Sequence, residues 1–504
     1  MAQDSAIAPL KVPIFRACWS ANLVANIGVM AQAVTVAWLM TSLTDGSPTL
    51  VASVQTAASL PLVLLSLPAG AFADLYDRRR VMLAAQTLTF AAAAGLLLLA
   101  LSGQMSPAAL LALTFAGGAG FALANPAWHA SIRLQVADDR LLEPAILLNA
   151  VGFNLARCVG PAVGGGILAV GGPIAALSAS TAAILPLLAT LARWRPPLHA
   201  APQRERLASA IGAGLRYVAL RPTLAALTIR AFLFTFSGAS VWALTPVLAY
   251  DRIGGDAAIL GLLVAMFGAG AFAGAMTRAR FAHWPRARFL SACTLLYALA
   301  AAMLGLAPSL VPAALAMVLT GAGWVAGLSG LNVAIQVHSA RWVAARAISL
   351  LQVALFLGLA LGSFCWGVVA DSYGLTAAML GSAAAMLATL ALGNALPVVS
   401  DDSVDLTPAP PAREDAVALR VERLHRPAPD NEDRFLALMR QLGRARRRDG
   451  ARRWELARDA GGGWRERFMF PDEVAALRWR ARRTREDALL ESAIAALSDG
   501  EKQE

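Results

Sequence analysis

Apolar residues run through this chain in stretches of roughly twenty, separated by short polar connections, from Ala17 to Leu396. An α-helix needs about 20 residues to cross a hydrocarbon core about 30 Å thick, and each stretch meets that length. Lipid offers no partner to a bare backbone group, so spans this long and continuous are helices and not barrel strands. They are expected near 17–42, 49–73, 81–102, 107–127, 145–169 and 172–193, then near 223–249, 257–277, 289–307, 309–335, 345–370 and 374–396. The predicted fold class is an all-α membrane protein with twelve transmembrane helices in two six-helix pseudo-repeats, plus a small C-terminal α+β domain in the cytoplasm.

The polar positions mark the boundaries. Residues 1–194 form the first six-helix bundle, and 195–222 form a linker carrying Pro196, Pro197, Pro202, Arg204, Glu205 and Arg206. Within it Leu207, Ile211, Leu215 and Val218 recur at helical spacing, which predicts an amphipathic helix on the cytoplasmic membrane face. Residues 223–397 form the second bundle, and the Asp- and Pro-rich 398–415 a second linker. In the final region, 416–504, Val417 to Leu424, Ala451 to Arg458 and Trp464 to Phe470 alternate like strands. Glu432 to Arg447 reads as a helix and Asp472 to Leu497 as one or two, with no closing strand legible after Leu497.

Charge fixes an orientation once it is divided along the chain. Residues 401–504 hold 21 basic and 21 acidic side chains, so the whole surplus of +11 lies in residues 1–400. Of the 22 basic residues there, 19 fall on alternate connections that share one side; Arg252 lies on the other, and Arg157 and Arg230 lie within spans. The positive-inside rule makes that side, both termini included, cytoplasmic, and the basic balance needs no nucleic acid to explain it. No removable signal peptide is evident, and the first span is expected to act as its own insertion signal. Cys18, Cys158, Cys293 and Cys365 fall in separate spans and read as packing residues.

Several positions carry candidate chemistry. Gly70, Asp74, Asp77, Arg78, Arg79 and Arg80 cluster between the second and third spans, where Asp74 can accept from arginines or from a helix N-terminus and act as a gate. Around Gly274, Arg278 and Arg280 the matching loop of the second half lacks the aspartates. The fifth span carries Gly160, Pro161, Gly164 and Gly165, a kink beside small residues that admit a close partner. Arg157 stands near the middle of that span with Asn154 beside it; a substrate anion and a structural partner would each explain it. Asn26, Gln55 and Asn332 are further candidates for lining a cavity, as interhelical hydrogen bonding is for polar residues such as Asn149. His129 and His338 stand near cytoplasmic span ends. No carboxylate lies clearly at mid-membrane, which weakens the case for proton coupling. Lysine occurs only at Lys11 and Lys502, so no phosphate-binding loop can supply the lysine an ATP-driven pump requires. In the final region His425 is solitary, no metal or nucleophile constellation is seen, and the run Arg444 to Arg448 reads as a solvated helix end or a contact to anionic lipid.

The segments "FRACWSANLVANIG", "PAGAFADLYDRRR", "NPAWHASI" and "LNAVGFNLARCVGPAVGGG" resemble the enterobactin-exporter-like branch of the major facilitator superfamily, also called transmembrane secretion effectors, over nearly all of residues 14–397. The resemblance implies a drug or siderophore exporter driven by an ion gradient, with the Gly70 loop as the superfamily's signature and Gly160 to Gly165 as its antiporter motif. "RFLALMRQLGRARRRDGARRWELARD" is similar to a ferredoxin-like dimeric module, which implies self-association through the tail. The expected function is therefore secondary export of a small molecule across the inner membrane by alternating access, with proton antiport, no cofactor and no enzymatic activity. A transporter-shaped sensor or scaffold that signals through its tail is the alternative.

Overall fold

The computed structural model describes residues 7–136, 138–195, 207–277, 281, 283–340, 343–395, 419–471 and 473–498. The first half comprises α1 (Pro13–Leu43), α2 (Pro48–Leu75), α3 (Arg78–Leu101), α4 (Pro107–Gln135), α5 (Leu142–Ala182) and α6 (Leu185–Arg193). After α7 (Leu207–Leu220) in the linker come α8 (Pro222–Val247), α9 (Ala257–Thr277), α10 (Arg286–Leu306), α11 (Leu310–Val337), α12 (Ala344–Tyr373) and α13 (Leu375–Ala395). Ten helices in the described residues are long and apolar enough to cross a membrane, and Leu375–Ala391 is a shorter apolar one. Proline opens α1, α2 and α4, where its missing donor is not needed, and Asp77 and Ser106 accept from the first turns of α3 and α4.

The spans expected at 145–169 and 172–193 form one apolar stretch of 52 residues, Leu142–Arg193. Straight, it would be about 78 Å long at 1.5 Å per residue. It is not straight. Gly172 has φ 72°, a conformation only glycine adopts freely, and Pro173 follows without a backbone donor. Both limbs then reach the same turn of α1: Gly160 packs on Met30, and Ser180 and Ala183 pack on Gly28. The chain reverses at Gly172.

Two compact units emerge. One is Met1–Arg204, Arg230–Leu331 and Gln352–Ala395; the other is Glu205–Ile229, Asn332–Leu351 and Leu396–Glu504. In the first unit, the end at which α1 begins is called the near end and the opposite one the far end. A single apolar cluster joins Val34, Met40, Val51 and Leu177 of the first half to Leu244, Val247, Leu263 and Met379 of the second. Toward the near end, Cys18, Met82, Trp128 and Leu191 form one cluster and Phe15, Ile132 and Ala145 another, both built from first-half side chains among the described residues.

In the second unit β1 (Arg420–His425), β2 (Arg452–Arg458) and β3 (Trp464–Met469) pair antiparallel in the order β1-β3-β2. The helices are α14 (Glu432–Asp449), α15 (Glu473–Arg482) and α16 (Arg485–Leu497). Phe435, Met439, Leu442 and Ile494 make one core, and Phe468, Phe470 and Trp479 another. Past α16, Ser498 makes an isolated bridge to Pro427. The expected linker at 398–415, and Val417 and Ala418 of the expected first strand, lie outside the described residues.

The linker helix forms where the spacing places it, but its packed face differs. Ala213, Tyr217 and Val218 are buried and Leu215 is 49% exposed, because α14 packs against α7. Leu207 and Ile211 lie on α7, their side chains outside those described.

Candidate functional site

Two of the six signature-loop residues, Gly70 and Asp74, lie in the last turns of α2, the Asp74 side chain being outside those described. Asp77 caps α3 by accepting from the Arg80 backbone N–H at 3.1 Å. Arg78 donates from Nη1 to the Ala130 carbonyl of α4 at 3.2 Å. Arg79 donates from Nε to the Leu191 carbonyl at 2.8 Å and from Nη2 to that of Ala192 at 2.6 Å. These last carbonyls of α6 have no helical partner and carry the negative end of its dipole, so a guanidinium is the natural cap. The arginines thereby tie α3 to α4 and α6 within their own half. In the second half Gly274 packs against the backbone of Ala322, and Arg278 and Arg280 lie outside the described residues.

The small residues of α5 face two partners. A Cβ added at Gly160 would lie 2.5 Å from the Met30 Cβ, and one at Gly164 2.5 Å from the Ala31 carbonyl oxygen, both on α1. At Gly165 it would lie 2.2 Å from the Cα of Gly261, on α9 of the other half. Pro161 is buried between these contacts. The α5–α9 approach continues to mid-span, where a Cβ at Gly268 would lie 2.7 Å from the Cys158 carbonyl oxygen. Absent side chains are what let the two backbones meet.

A second pair of helices, α2 and α12, closes the same end. Thr56 Oγ1 donates to the Ala360 carbonyl at 2.9 Å, and Gly367 faces Ala52. The Thr49 backbone N–H, in the first turn of α2, donates to Asp371 Oδ2 at 3.2 Å. Trp38 meets Tyr250 edge-on at 6.1 Å between centroids. Sequence reasoning missed Asp371 in this role, although a carboxylate at a span end beside a helix start is a readable signal.

Asn154 lies one turn nearer than Cys158 on α5, just where the described contacts between halves stop. It is exposed, and its Nδ2 donates to the Ala150 carbonyl at 2.9 Å. Arg157 beside it is half-buried, its guanidinium carbon 5.9 Å from the Phe153 ring centroid, and no ion pair reaches it among the described residues. The other candidates stand elsewhere. Asn26 is buried in α1, Gln55 donates from Nε2 to Ser59 Oγ at 3.0 Å within α2, and Asn332 on α11 is engaged in interactions of its own. Asn149 accepts from Trp128 Nε1 at 2.8 Å, an interhelical bond of the kind expected.

In the second unit the structure modifies two sequence expectations. Of the arginine run, Arg444 and Arg447 are exposed, as at a solvated helix end, while Arg446 and Arg448 are buried. Helical spacing turns these two inward, and carboxylates meet them. Arg446 Nη1 pairs with Glu491 Oε1 at 2.7 Å, and its guanidinium lies 5.0 Å from the Phe468 and Trp479 ring centroids. His425 is not solitary, since its Nε2 stands 3.7 Å from Glu466 Oε2, a fully buried carboxylate that also accepts from Trp454 Nε1 at 2.9 Å. Burial opposes the Glu466 charge, but His425, Arg446 and Trp454 hold its pKa below the usual value.

A second network joins α7 to α14 and α16. Arg448 pairs with Asp449 at 2.8 Å and with Asp487 at 2.9 Å, and its guanidinium lies 5.3 Å from the Tyr217 ring centroid. The Tyr217 hydroxyl accepts from the Ala340 N–H at 3.3 Å, and Arg221 Nη2 donates to Glu486 Oε2 at 2.8 Å. Asp487 is pushed up by burial, but Arg448 and Thr484 outweigh this and hold it below the usual carboxylate range. Burial dominates at Asp449 and raises it. Among the described residues no three His, Cys, Asp or Glu side chains converge as metal ligands.

Solved transporters share this architecture. A transporter of the POT family in complex with 5-aminolevulinic acid superposes with a TM-score of 0.63 at 12% identity, covering 76% of this chain and 96% of its own. The nucleoside transporter NupG gives 0.60 at 14% identity over 76% and 99%. A bacterial homologue of the human lysosomal transporter Spinster, inward-facing and unoccupied, gives 0.58 at 17% identity over 76% and 95%. The fold is that of a major facilitator superfamily membrane transporter and not of an enzyme. More narrowly, the chain belongs to the transmembrane secretion effector family, whose profile it matches over residues 4–504. Among its relatives are the enterobactin exporters EntS of Escherichia coli O1:K1 / APEC and of Shigella boydii serotype 18, each 28% identical over 324 residues, 63% of this chain and 76% of theirs.

Proposed function

We propose that this protein exports a small, siderophore-like or drug-like molecule across the cytoplasmic membrane by alternating access, in exchange for protons. One observation carries the reading: the apolar core of the far end is shared by both halves, while the near-end clusters of the first half are self-contained. A far-end core shared by the two halves suits a transporter whose halves close on each other at that end. Nineteen basic residues on near-end connections favour a cytoplasmic near end, from which the substrate would be loaded. The reversal at Gly172 and the shorter α13 bring the ten apolar helices to twelve crossings. The names of the EntS relatives supply the substrate class.

Arg157 and Asn154 stand on the near-end side of the α5–α9 contact at Cys158 and Gly268, and form the substrate or coupling site in this reading. A guanidinium held half-buried with no counter-ion among the described residues suits an acidic or catechol-type oxygen. The signature loop makes the first half move as one body, since Arg78 and Arg79 fasten three of its helices together, and leaves Asp74 to engage the second half when the near end closes. The strands and helices after Leu419 form a cytoplasmic α+β domain through which two copies associate. The test is substrate accumulation in inside-out vesicles energised by a pH gradient. Accumulation should collapse with an uncoupler and fall at least tenfold in Arg157→Ala; an unchanged Arg157→Ala flux would remove that residue from the site.

A further inference from the structure

The second half holds an arginine that the transport reading leaves unused. Arg230, on α8, lines a cavity with Phe234, Leu290, Thr294, Gly327, Leu331 and Thr389, so that α8, α10, α11 and α13 all contribute to its wall. Phe234 closes its inner side, stacked on Trp324 at 5.4 Å and tilted against Tyr297 at 5.8 Å. Arg230 is half-buried, and among the described residues no carboxylate pairs with it and no hydrogen bond to it is seen. An arginine inside a membrane bundle with no counter-ion among the described residues is a functional candidate, and an anion from outside the chain would suit it.

The depth of the cavity names that anion. Arg230 lies eight residues past Pro222; Leu290 and Thr294 lie four and eight past Arg286; Leu331 and Thr389 each lie six before their helix ends, at Val337 and Ala395. At 1.5 Å per residue all of them fall about 6 to 12 Å from the near end. Side chains on a helix lean toward its N-terminus, so the Arg230 guanidinium reaches back toward the near-end interface. Aromatic residues mark that interface: Phe281 and Trp284 meet at 4.9 Å, with Phe289 6.5 Å from Phe281, and Trp284 is 40% exposed. Tryptophan and its neighbours favour the headgroup level. Beyond the cavity, Leu295 and Leu299 of α10 and Leu380 and Leu387 of α13 are exposed, as acyl-chain contacts would be.

We infer that Arg230 and its cavity bind the phosphate of an anionic phospholipid from the near-end leaflet, with the acyl chains lying along the exposed leucines of α10 and α13. The site rests on the membrane placement proposed above and not on the exported substrate. A lipid held there would brace α8 against α10 and α13 within the second half. The basic residue near the headgroups favours an anionic lipid by about fivefold over a zwitterionic one.

The experiment is native mass spectrometry of the full-length protein released from nanodiscs of equal phosphatidylglycerol and phosphatidylcholine. Wild type should retain one phosphatidylglycerol with about fivefold preference. R230Q should retain both lipids equally, and R230K, which keeps the charge, should keep most of the preference. Thr389→Met, which fills the cavity while keeping the arginine and its charge, should lower retention as well, and it stands in if R230Q does not fold. Undiminished preference in both R230Q and Thr389→Met would overturn the inference. A second arm adds inorganic phosphate to lipid-stripped protein: melting should match a chloride control, and a phosphate-specific rise lost in R230Q would overturn the lipid in favour of a free anion. Neither arm reads flux, so a failed export assay would leave this result standing.

Discussion

The far-end closure between the two halves and the network inside the second unit solve the same problem by opposite means. At the far end, Gly165 meets Gly261, Gly268 meets Cys158 and Gly367 meets Ala52, with Thr49 to Asp371 as one of few directional bonds. In the second unit Arg448 alone engages two carboxylates and an aromatic ring, and Arg446 a carboxylate and two rings. Lipid tails give no hydrophobic reason for helices to associate, so close backbone approach has to supply the attraction. Such a contact has few bonds to break and suits a surface that would part in the proposed transport cycle. Buried charge pairs, in contrast, are strongly destabilising to break singly and suit parts that stay together.

Breaking the charged network should have the largest effect. Arg448→Ala strands Asp449 and Asp487 in the interior, and loss of one partner of a buried pair costs about 3–5 kcal/mol. Limited proteolysis of the full-length protein should then cut the second unit first, with the membrane helices intact; cleavage as slow as wild type would sink the contrast.

Acid should reproduce that damage. The pKa values of Asp487 and Glu466 are lowered in the fold, so their stabilisation is complete above the ordinary carboxylate range, about pH 4–4.5, and is lost as pH falls through their lower folded values. Asp449, raised by burial, acts in the opposite sense and partly offsets the loss. Protease protection of the second unit is expected to stay flat from pH 7 to 5 and to fall away below about 4. A midpoint near neutrality would contradict these directions.

At the far end, Gly165→Leu overpacks a contact that has no room, an effect of about 1–3 kcal/mol or more against the closed state. Labelling of a cysteine placed at Thr49 by an impermeant maleimide should rise severalfold in intact cells. The smallest change belongs to Asp371→Asn, which removes a charge from the start of α2 worth about 0.3–1 kcal/mol. The same label should then rise by less than about fivefold. An Asp371→Asn effect larger than that of Gly165→Leu would reverse the proposed balance between packing and charge.

Much of the helical layout was readable, because a lipid span declares itself by length and apolarity over consecutive residues. The boundary expected between 169 and 172 lies beside the reversal at Gly172, although no polar loop announces it. Gly160, Gly164 and Gly165 were legible as a small-residue motif, but their partners Met30, Ala31 and Gly261 were not, since one sequence does not say which helices adjoin. Spacing likewise foretold a helix at 207–220 without showing that Tyr217 would face α14. The buried pairs of the tail were hidden for the same reason: Tyr217, Ala340, Arg448 and Asp487 are brought together only by tertiary structure. A run of arginines looks solvated until carboxylates from α16 are known to stand opposite.

The far-end connections are strikingly brief in number of residues: 44–47, 102–106, the turn at Gly172, 253–256, 307–309 and Gly374. A face assembled from turns this short offers antibodies, phage and proteases almost no free chain to grip. An epitope or fluorescent label inserted there must stretch a helix pair apart, whereas thirteen residues separate α6 from α7 in the sequence. Handles for imaging and purification therefore belong on the near side.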